Sequence, residues 1–267
     1  MKRHLISFAD KRMTGALKRL RWQAEDMQFF DKIHLLTNQD LDSSFSTTYN
    51  HILNPRTRGF GYWLWKPYII QQLLESMPMG DELYYVDAGC HFNPNGKARL
   101  KEYAAMLAAS ELGIVAFQLG KSCSERAYSK MDLMIHLGVH QAAHITDSGQ
   151  LSATHVFCKK KESSIAFINE WLNTCYNLHF IDDSPSLNPN FPEFIEHRHD
   201  QSVFSILGKL HEASCLSGHE TWPSHNQSWN SMKNYPIWDK RDLGWTSHLI
   251  SRLIRKVKKE LHHLLKN

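Results

Sequence analysis

The apolar positions along the chain switch repeatedly between two periods. Leu5-Ile6-Ser7-Phe8-Ala9 and Lys32-Ile33-His34-Leu35-Leu36-Thr37 read as strands, and between them Leu17, Leu20, Ala24, Met27 and Phe30 recur at helical spacing. This is a β-α-β unit, which favours a right-handed crossover and a parallel pair. Pro67 to Met77 reads as a helix with proline in its first turn and Ile69, Ile70, Leu73 and Leu74 on its buried face. Leu83-Tyr84-Tyr85-Val86 is a continuous apolar run and reads as a buried strand that stops at Asp87-Ala88-Gly89-Cys90. Helices over 99–109, 129–137 and 163–176 alternate with strands over 113–117 and 151–158. The helix over 163–176 turns Ile165, Ile168, Trp171, Leu172 and Cys175 inward. Asp182 to Pro192 is rich in Asp, Ser, Asn and Pro and reads as a loop. A further helix opens near His199-Asp200-Gln201-Ser202 and buries Val203, Phe204, Ile206 and Leu207. The alternation predicts an α/β fold.

The last segment has a different pattern. Leu249, Ile250, Leu253, Ile254, Val257, Leu261, Leu264 and Leu265 recur at helical spacing, with cations largely on the other side. From Thr246 onward six cations face one anion, so this segment carries +5 of the chain's +4 and the remainder carries −1. We read one domain over 1–244 and a basic amphipathic helix over 245–267. Such a helix suits an anionic membrane surface or docks on the domain with its charged face in water. Because the charge is confined to the tail, a nucleic-acid surface is not indicated.

Composition fits a globular protein, with 42% hydrophobic and 22% charged residues. No apolar run reaches the eighteen or so residues of a spanning helix, and the N-terminus lacks the apolar stretch of a secretory leader. Cys90, Cys123, Cys158, Cys175 and Cys215 are scattered and never spaced Cys-x-x-Cys. Reduced thiols in a cytoplasmic setting fit them best. The dinucleotide fingerprint, the phosphate loop and the His-Glu-x-x-His signature are all absent.

Candidate chemistry gathers at three places. Asp87 ends a buried strand at the edge where open α/β sheets bind ligands, although a strand ending in Asp-Ala-Gly is also an ordinary turn. Gly59-Phe60-Gly61-Tyr62-Trp63-Leu64-Trp65-Lys66-Pro67 combines aromatic rings, which stack on sugar faces or fill a core, with a cation set between Trp65 and Pro67. Asp200 lies at a helix N-terminus, where a carboxylate is favoured and where capping is its simplest role.

These stretches resemble the nucleotide-sugar glycosyltransferases of the type A fold, in particular small bacterial enzymes of surface-polysaccharide assembly such as O-antigen, capsule and lipopolysaccharide. The likeness rests on residues 6–12, 58–67, 84–90 and 197–202, and their order and spacing cover about residues 5–241. It implies a single Rossmann-like mixed sheet flanked by helices. It also implies that Ser7, Phe8, Ala9 and Asp10 cradle the nucleotide base and ribose, with Arg12 and Ala88 in the donor-binding set. The family's Asp-x-Asp motif places a divalent ion, Mn2+ or Mg2+, on the sugar diphosphate. Asp87 matches its first aspartate, and Gly89 stands where the second is expected. His91, His219 and His225 are possible further ligands. Lys66, Lys240 and Arg241 are candidate diphosphate clamps. Asp200-Gln201 resembles the element beside the reacting sugar carbon, where a base or a charge-stabilising group is needed.

The implied activity is transfer of a hexose, such as one of galactose type, from a UDP-sugar to a lipid-linked glycan. The enzyme would be peripheral at the inner face of the cell membrane, held there by the basic tail. The alternatives are a non-catalytic α/β module that binds a nucleotide or glycan, and a hydrolase or nucleotidyltransferase built on Asp87. The last is disfavoured by the lack of a second nearby carboxylate.

Overall fold

Residues 83–86 send alternate side chains into two separate cores. Leu83 and Tyr85 pack with Ile69, Ile70, Trp171 and Phe204, whereas Tyr84 and Val86 pack with Leu20, Met27, Tyr103 and Leu107. A strand buried on both faces belongs in the middle of a sheet, and that is its place in the protein, a computed structural model that describes residues 1–224 and 227–242. The strands are β1 (Arg3–Ala9), β2 (Lys32–Thr37), β3 (Glu82–Val86), β4 (His91–Phe92), β5 (Ile114–Gln118), β6 (Leu151–Lys159), β7 (Ser214–Ser217) and β8 (Ile237–Trp238). Six form one mixed sheet in the order β2-β1-β3-β6-β5-β7, with β6 antiparallel to both neighbours. β4 and β8 form a small antiparallel pair.

Helices cover both faces. The principal ones are α1 (Thr14–Met27), α2 (Trp65–Ser76), α3 (Lys97–Ala109), α4 (Glu162–Cys175) and α5 (His199–Leu210). The first core lies under α2, α4 and α5, and the second under α1 and α3. The expected β-α-β unit is present, with β1 and β2 parallel across α1. All five cysteines are unbridged.

Two details differ from the sequence reading. α2 begins at Trp65 rather than Pro67, and Trp65 and Lys66 are buried where Leu73 is only partly so. In α4 Phe167 points inward and Ile165 is half-exposed, a shift of the apolar stripe onto α5. The tail helix expected over 245–267, the boundary at 244 and His225 lie outside the described residues. Among the described residues no helix is long and apolar enough to cross a membrane.

One glycine fastens the β4–β8 pair to the main body. A Cβ on Gly96 would lie 2.3 Å from the backbone of Tyr235 and Pro236. Gly96→Ala is expected to destabilise the fold by about 1–3 kcal/mol, as overpacking against rigid backbone does. Denaturant unfolding measures it, and an unchanged midpoint would mean that the 235–238 segment is not held there.

Candidate active site at the strand edge

Five consecutive residues, Gly59 to Trp63, have positive φ (59°, 55°, 99°, 54° and 59°) and form one left-handed turn. Left-handed backbone costs a non-glycine residue about 1–2 kcal/mol, and Phe60, Tyr62 and Trp63 all carry that strain. Packing holds the turn in place. Phe60 is buried near Phe8, Trp65 donates its indole N–H to the Gly59 carbonyl at 2.9 Å, and a Cβ on Gly59 would strike the Trp63 ring. The aromatic segment singled out in the sequence is therefore first a strained structural device. It aims the next helix so that Lys66 points inward.

Lys66 is buried, and its ammonium meets three oxygens. It lies 3.4 Å from Asp87 Oδ1 and 3.3 Å from Asp200 Oδ2, and it donates to the Ala153 carbonyl at 3.1 Å. Asp87 follows β3, and its Oδ1 also accepts from the Tyr85 hydroxyl. Asp200 comes from the first turn of α5, where His199 is again left-handed (φ 54°) with its ring against Tyr62 and Trp63. Asp200 does not cap its helix. Its carboxylate is turned to Lys66, and its carbonyl accepts from Trp171 Nε1 at 3.0 Å. The Ala153 amide, next to a register shift between β5 and β6, donates to Gln201 Oε1 at 3.3 Å. Gln201 in turn donates to Gln150 Oε1 at 2.9 Å.

The trio has a definite electrical character. Burial opposes the Lys66 charge, but Asp200 and then Asp87 outweigh it and hold the ammonium charged above its ordinary range. Burial lifts Asp200 to about 7, with Lys66 pulling down and Asp87 pushing up. Asp87 is the open member, with about a third of its side chain exposed, while Asp200 is sealed behind it. A buried carboxyl titrating near neutrality beside a fixed cation is the kind of group found at functional sites.

The remaining expected residues divide into groups. Ser7, Ala9 and Ala88 are buried at the ends of β1 and β3, and the Ala88 carbonyl accepts from Arg19 at 2.9 Å. Phe8 is buried, and its ring stacks on Trp65 at 4.1 Å in the core. Asp10 holds Arg12 through Nε at 2.7 Å, and about half of Arg12 is exposed. Lys240 lies over the rings of Trp238 and Trp229, and Arg241 over Trp222. His91 sits between Gln23 and Asp242, and burial, followed by Arg19, lowers it to about 3. His219 is exposed beside Ser224.

Gly89 has a spatial reason. A Cβ there would lie 3.2 Å from Arg241 Cα, and the Asp242 amide donates to the Gly89 carbonyl at 3.0 Å. The chain returns across this glycine instead of placing a carboxylate on it. An ion on Asp87 needs further oxygen ligands. The described residues give Asp87 a phenol and an ammonium instead. They do not make a cage for a hard cation there.

Sequence reasoning found Lys66, Asp87 and Asp200 separately but missed Tyr85, Gln150 and Ala153. Tyr85 was within reach, since residues two apart share a face of a strand. Gln150 and the Ala153 backbone carried no signal.

No protein-family profile matches the chain, and no curated protein matches it in sequence. Several solved structures have a similar chain course. One is a glycosyltransferase involved in glycosylation of the major capsid of PBCV-1, with TM-score 0.48, 10% identity, and 89% of this chain and 92% of that chain covered. Another is mouse xyloside xylosyltransferase 1, with TM-score 0.45, 10% identity, and 90% and 97% covered. A third is the galactosyltransferase LgtC in complex with donor and acceptor sugar analogues, with TM-score 0.40, 12% identity, and 88% and 86% covered.

The trio predicts its own response to substitution. Replacing Lys66 by Met strands two carboxylates and is expected to destabilise by about 3–5 kcal/mol near neutral pH. Asp200, whose folded value lies above the ordinary carboxylate range, is protonated in the folded protein below about 7. Ionising it in its buried site lowers stability as pH rises through that window. The Lys66→Met penalty should therefore shrink in acid, and thermal melts across pH measure it. A penalty that grows in acid would contradict the ion pairing.

Proposed function

We propose that the chain is a glycosyltransferase of the type A fold that transfers a hexose, such as one of galactose type, from a UDP-sugar to a glycan acceptor. One observation carries the reading: Lys66 clamped between Asp87 and Asp200 at the edge of the sheet, under a strained left-handed turn. In the transfer, an acceptor hydroxyl oxygen bonds to the anomeric carbon. The bond from that carbon to the diphosphate oxygen breaks, and UDP leaves with the electron pair. Positive charge develops on the sugar. With Asp200 ionised the trio carries one net negative charge, and with Asp200 protonated it carries none. A preoriented negative site in a dry environment stabilises such a transition state. An ionised Asp200, sealed behind Asp87, stabilises the sugar cation through its charge, and the acceptor's proton passes to the departing diphosphate oxygen.

In this reading Asp87, the open member, faces the donor, and Gln201 keeps the Asp200 turn in register through Gln150 and Ala153. Arg12, whose exposed side can meet a phosphate or ribose, joins Ser7, Ala9 and Asp10 at the nucleotide end. Arg241 and the turn at Ala88 and Gly89 border the diphosphate. A cleft of about 640 Å3 bounded by the 183–190 loop and residues 194–197 offers Ser186, Asn188 and Asn190 to a polar acceptor. Its link to the trio is Asp183, 3.6 Å from His199 Nε2. The acceptor is lipid-linked, and the six cations after Thr246 hold the protein at an anionic membrane face.

The deciding experiment is donor hydrolysis across a panel of nucleotide sugars. Turnover should rise about tenfold per pH unit below about 7 and level off above it, as one essential carboxylate ionises. Asp200→Asn should lower kcat by roughly a hundredfold to ten-thousandfold while UDP binding persists. UDP binding with no turnover of any donor by the wild type would favour a nucleotide-binding module instead.

Removal of residues 245–267 should release the protein from anionic vesicles and leave donor hydrolysis intact. Equal sedimentation of the shortened and full-length chains would exclude the tail as the anchor.

A further inference from the structure

A second cluster lies at the same end of β3 but on the opposite face of the sheet. Tyr85 and Asp87 turn toward α2 and α5, whereas Val86 and its cross-strand partner His155 turn toward the core under α1 and α3. On that side three potential ligand atoms converge. Cys90 Sγ lies 3.7 Å from His155 Nε2 and 3.4 Å from Asp239 Oδ1, and Asp239 Oδ1 lies 2.7 Å from His155 Nε2. Cys90 and His155 are buried and Asp239 is about one-sixth exposed. The Thr221 hydroxyl donates to the other Asp239 oxygen at 3.0 Å.

The arrangement discriminates between two kinds of chemistry. A nucleophilic Cys-His-Asp relay needs the carboxylate on the imidazole nitrogen remote from the thiol. Here both the thiol and the carboxylate approach the same nitrogen, Nε2. Convergence of all three on one point is what a cation requires. Around a tetrahedral zinc ion, with Zn–S about 2.3 Å and Zn–N and Zn–O about 2.0–2.1 Å, the sulfur–nitrogen and sulfur–oxygen edges are about 3.6 Å and the nitrogen–oxygen edge about 3.4 Å. Two of the three observed separations already match. The third, now a hydrogen bond, must open by about 0.7 Å on the same bond lengths. A thiolate and a carboxylate also balance a divalent charge, which a buried site demands. A thiolate selects Zn2+ or Co2+ over Mg2+ or Mn2+.

We propose that Cys90, His155 and Asp239 bind a borderline-soft divalent cation of the zinc type, with a fourth position left for water or a ligand oxygen beside the partly exposed Asp239. Thr221 positions the Asp239 carboxylate, as outer partners of metal ligands do. The site stands apart from the proposed glycosyl transfer, because binding is read without any sugar nucleotide.

The test uses Co2+ with the full chain under reducing conditions, followed by its thiolate-to-cobalt charge-transfer absorption, with Zn2+ as competitor. One Co2+ per chain with that band is expected, displaced by Zn2+. Cys90→Ser should abolish the band, and Cys215→Ser, at an exposed thiol, should leave it. Should Cys90→Ser fail to fold, Asp239→Asn, at a partly exposed residue, and Thr221→Val provide the second measurement, each weakening Co2+ binding at least about tenfold. Absence of a stoichiometric band, its survival in Cys90→Ser, or unchanged affinity in both Asp239→Asn and Thr221→Val overturns the site.

Discussion

An ammonium group buried at the end of a β-sheet must be surrounded by oxygen, and Lys66 obtains its oxygens from three different parts of the chain. Asp87 comes from the end of β3, the Ala153 carbonyl from β6 and Asp200 from the first turn of α5. None of these can shift far without leaving a charge uncompensated in a dry environment, where the penalty is several kcal/mol per ion. The local irregularities follow from that demand. The left-handed turn at 59–63 aims α2, left-handed His199 aims α5, and the interrupted β5–β6 register leaves Ala153 to be met by side chains. Strain of this kind persists only where its surroundings over-determine it. Here the aromatic packing of Phe8, Phe60 and Trp65 does so.

The same strand end serves two clusters of opposite logic. On one face a cation is fixed between anions, so its chemistry is set by charge. On the other, a thiol, an imidazole and a carboxylate converge, and the buried Arg19 guanidinium donates to the Cys90 carbonyl beside them. The alternation of side chains along β3 keeps the two apart although they share one turn, Asp87 to Cys90. Gly89 and Gly96 let the returning segment close over that turn, since a side chain at either would meet backbone.

The fold was largely legible because its signals are local. A switch between periods of two and about 3.6 marks strands and helices whatever their neighbours, and a fully apolar run such as Leu83–Val86 marks a strand buried on both sides. The ends of α2 were less legible, since the packing of Trp65 and Lys66 against the core outweighs the proline signal one residue later. Phe8 illustrates the same limit: a ring at the end of β1 reads equally as a ligand contact or a core residue, and its stacking on Trp65 depends on α2.

By itself the sequence determined the α/β class, the order of the principal elements, and the candidacy of Lys66, Asp87 and Asp200, because residue type, period and strand or helix ends are written in single stretches of chain. Only the tertiary structure decided that these three meet, that Gly89 marks a chain crossing, and that His155 and Asp239 join Cys90. Those facts depend on atoms brought within hydrogen-bonding distance from positions as much as 149 residues apart, and no periodicity along the chain encodes such a distance.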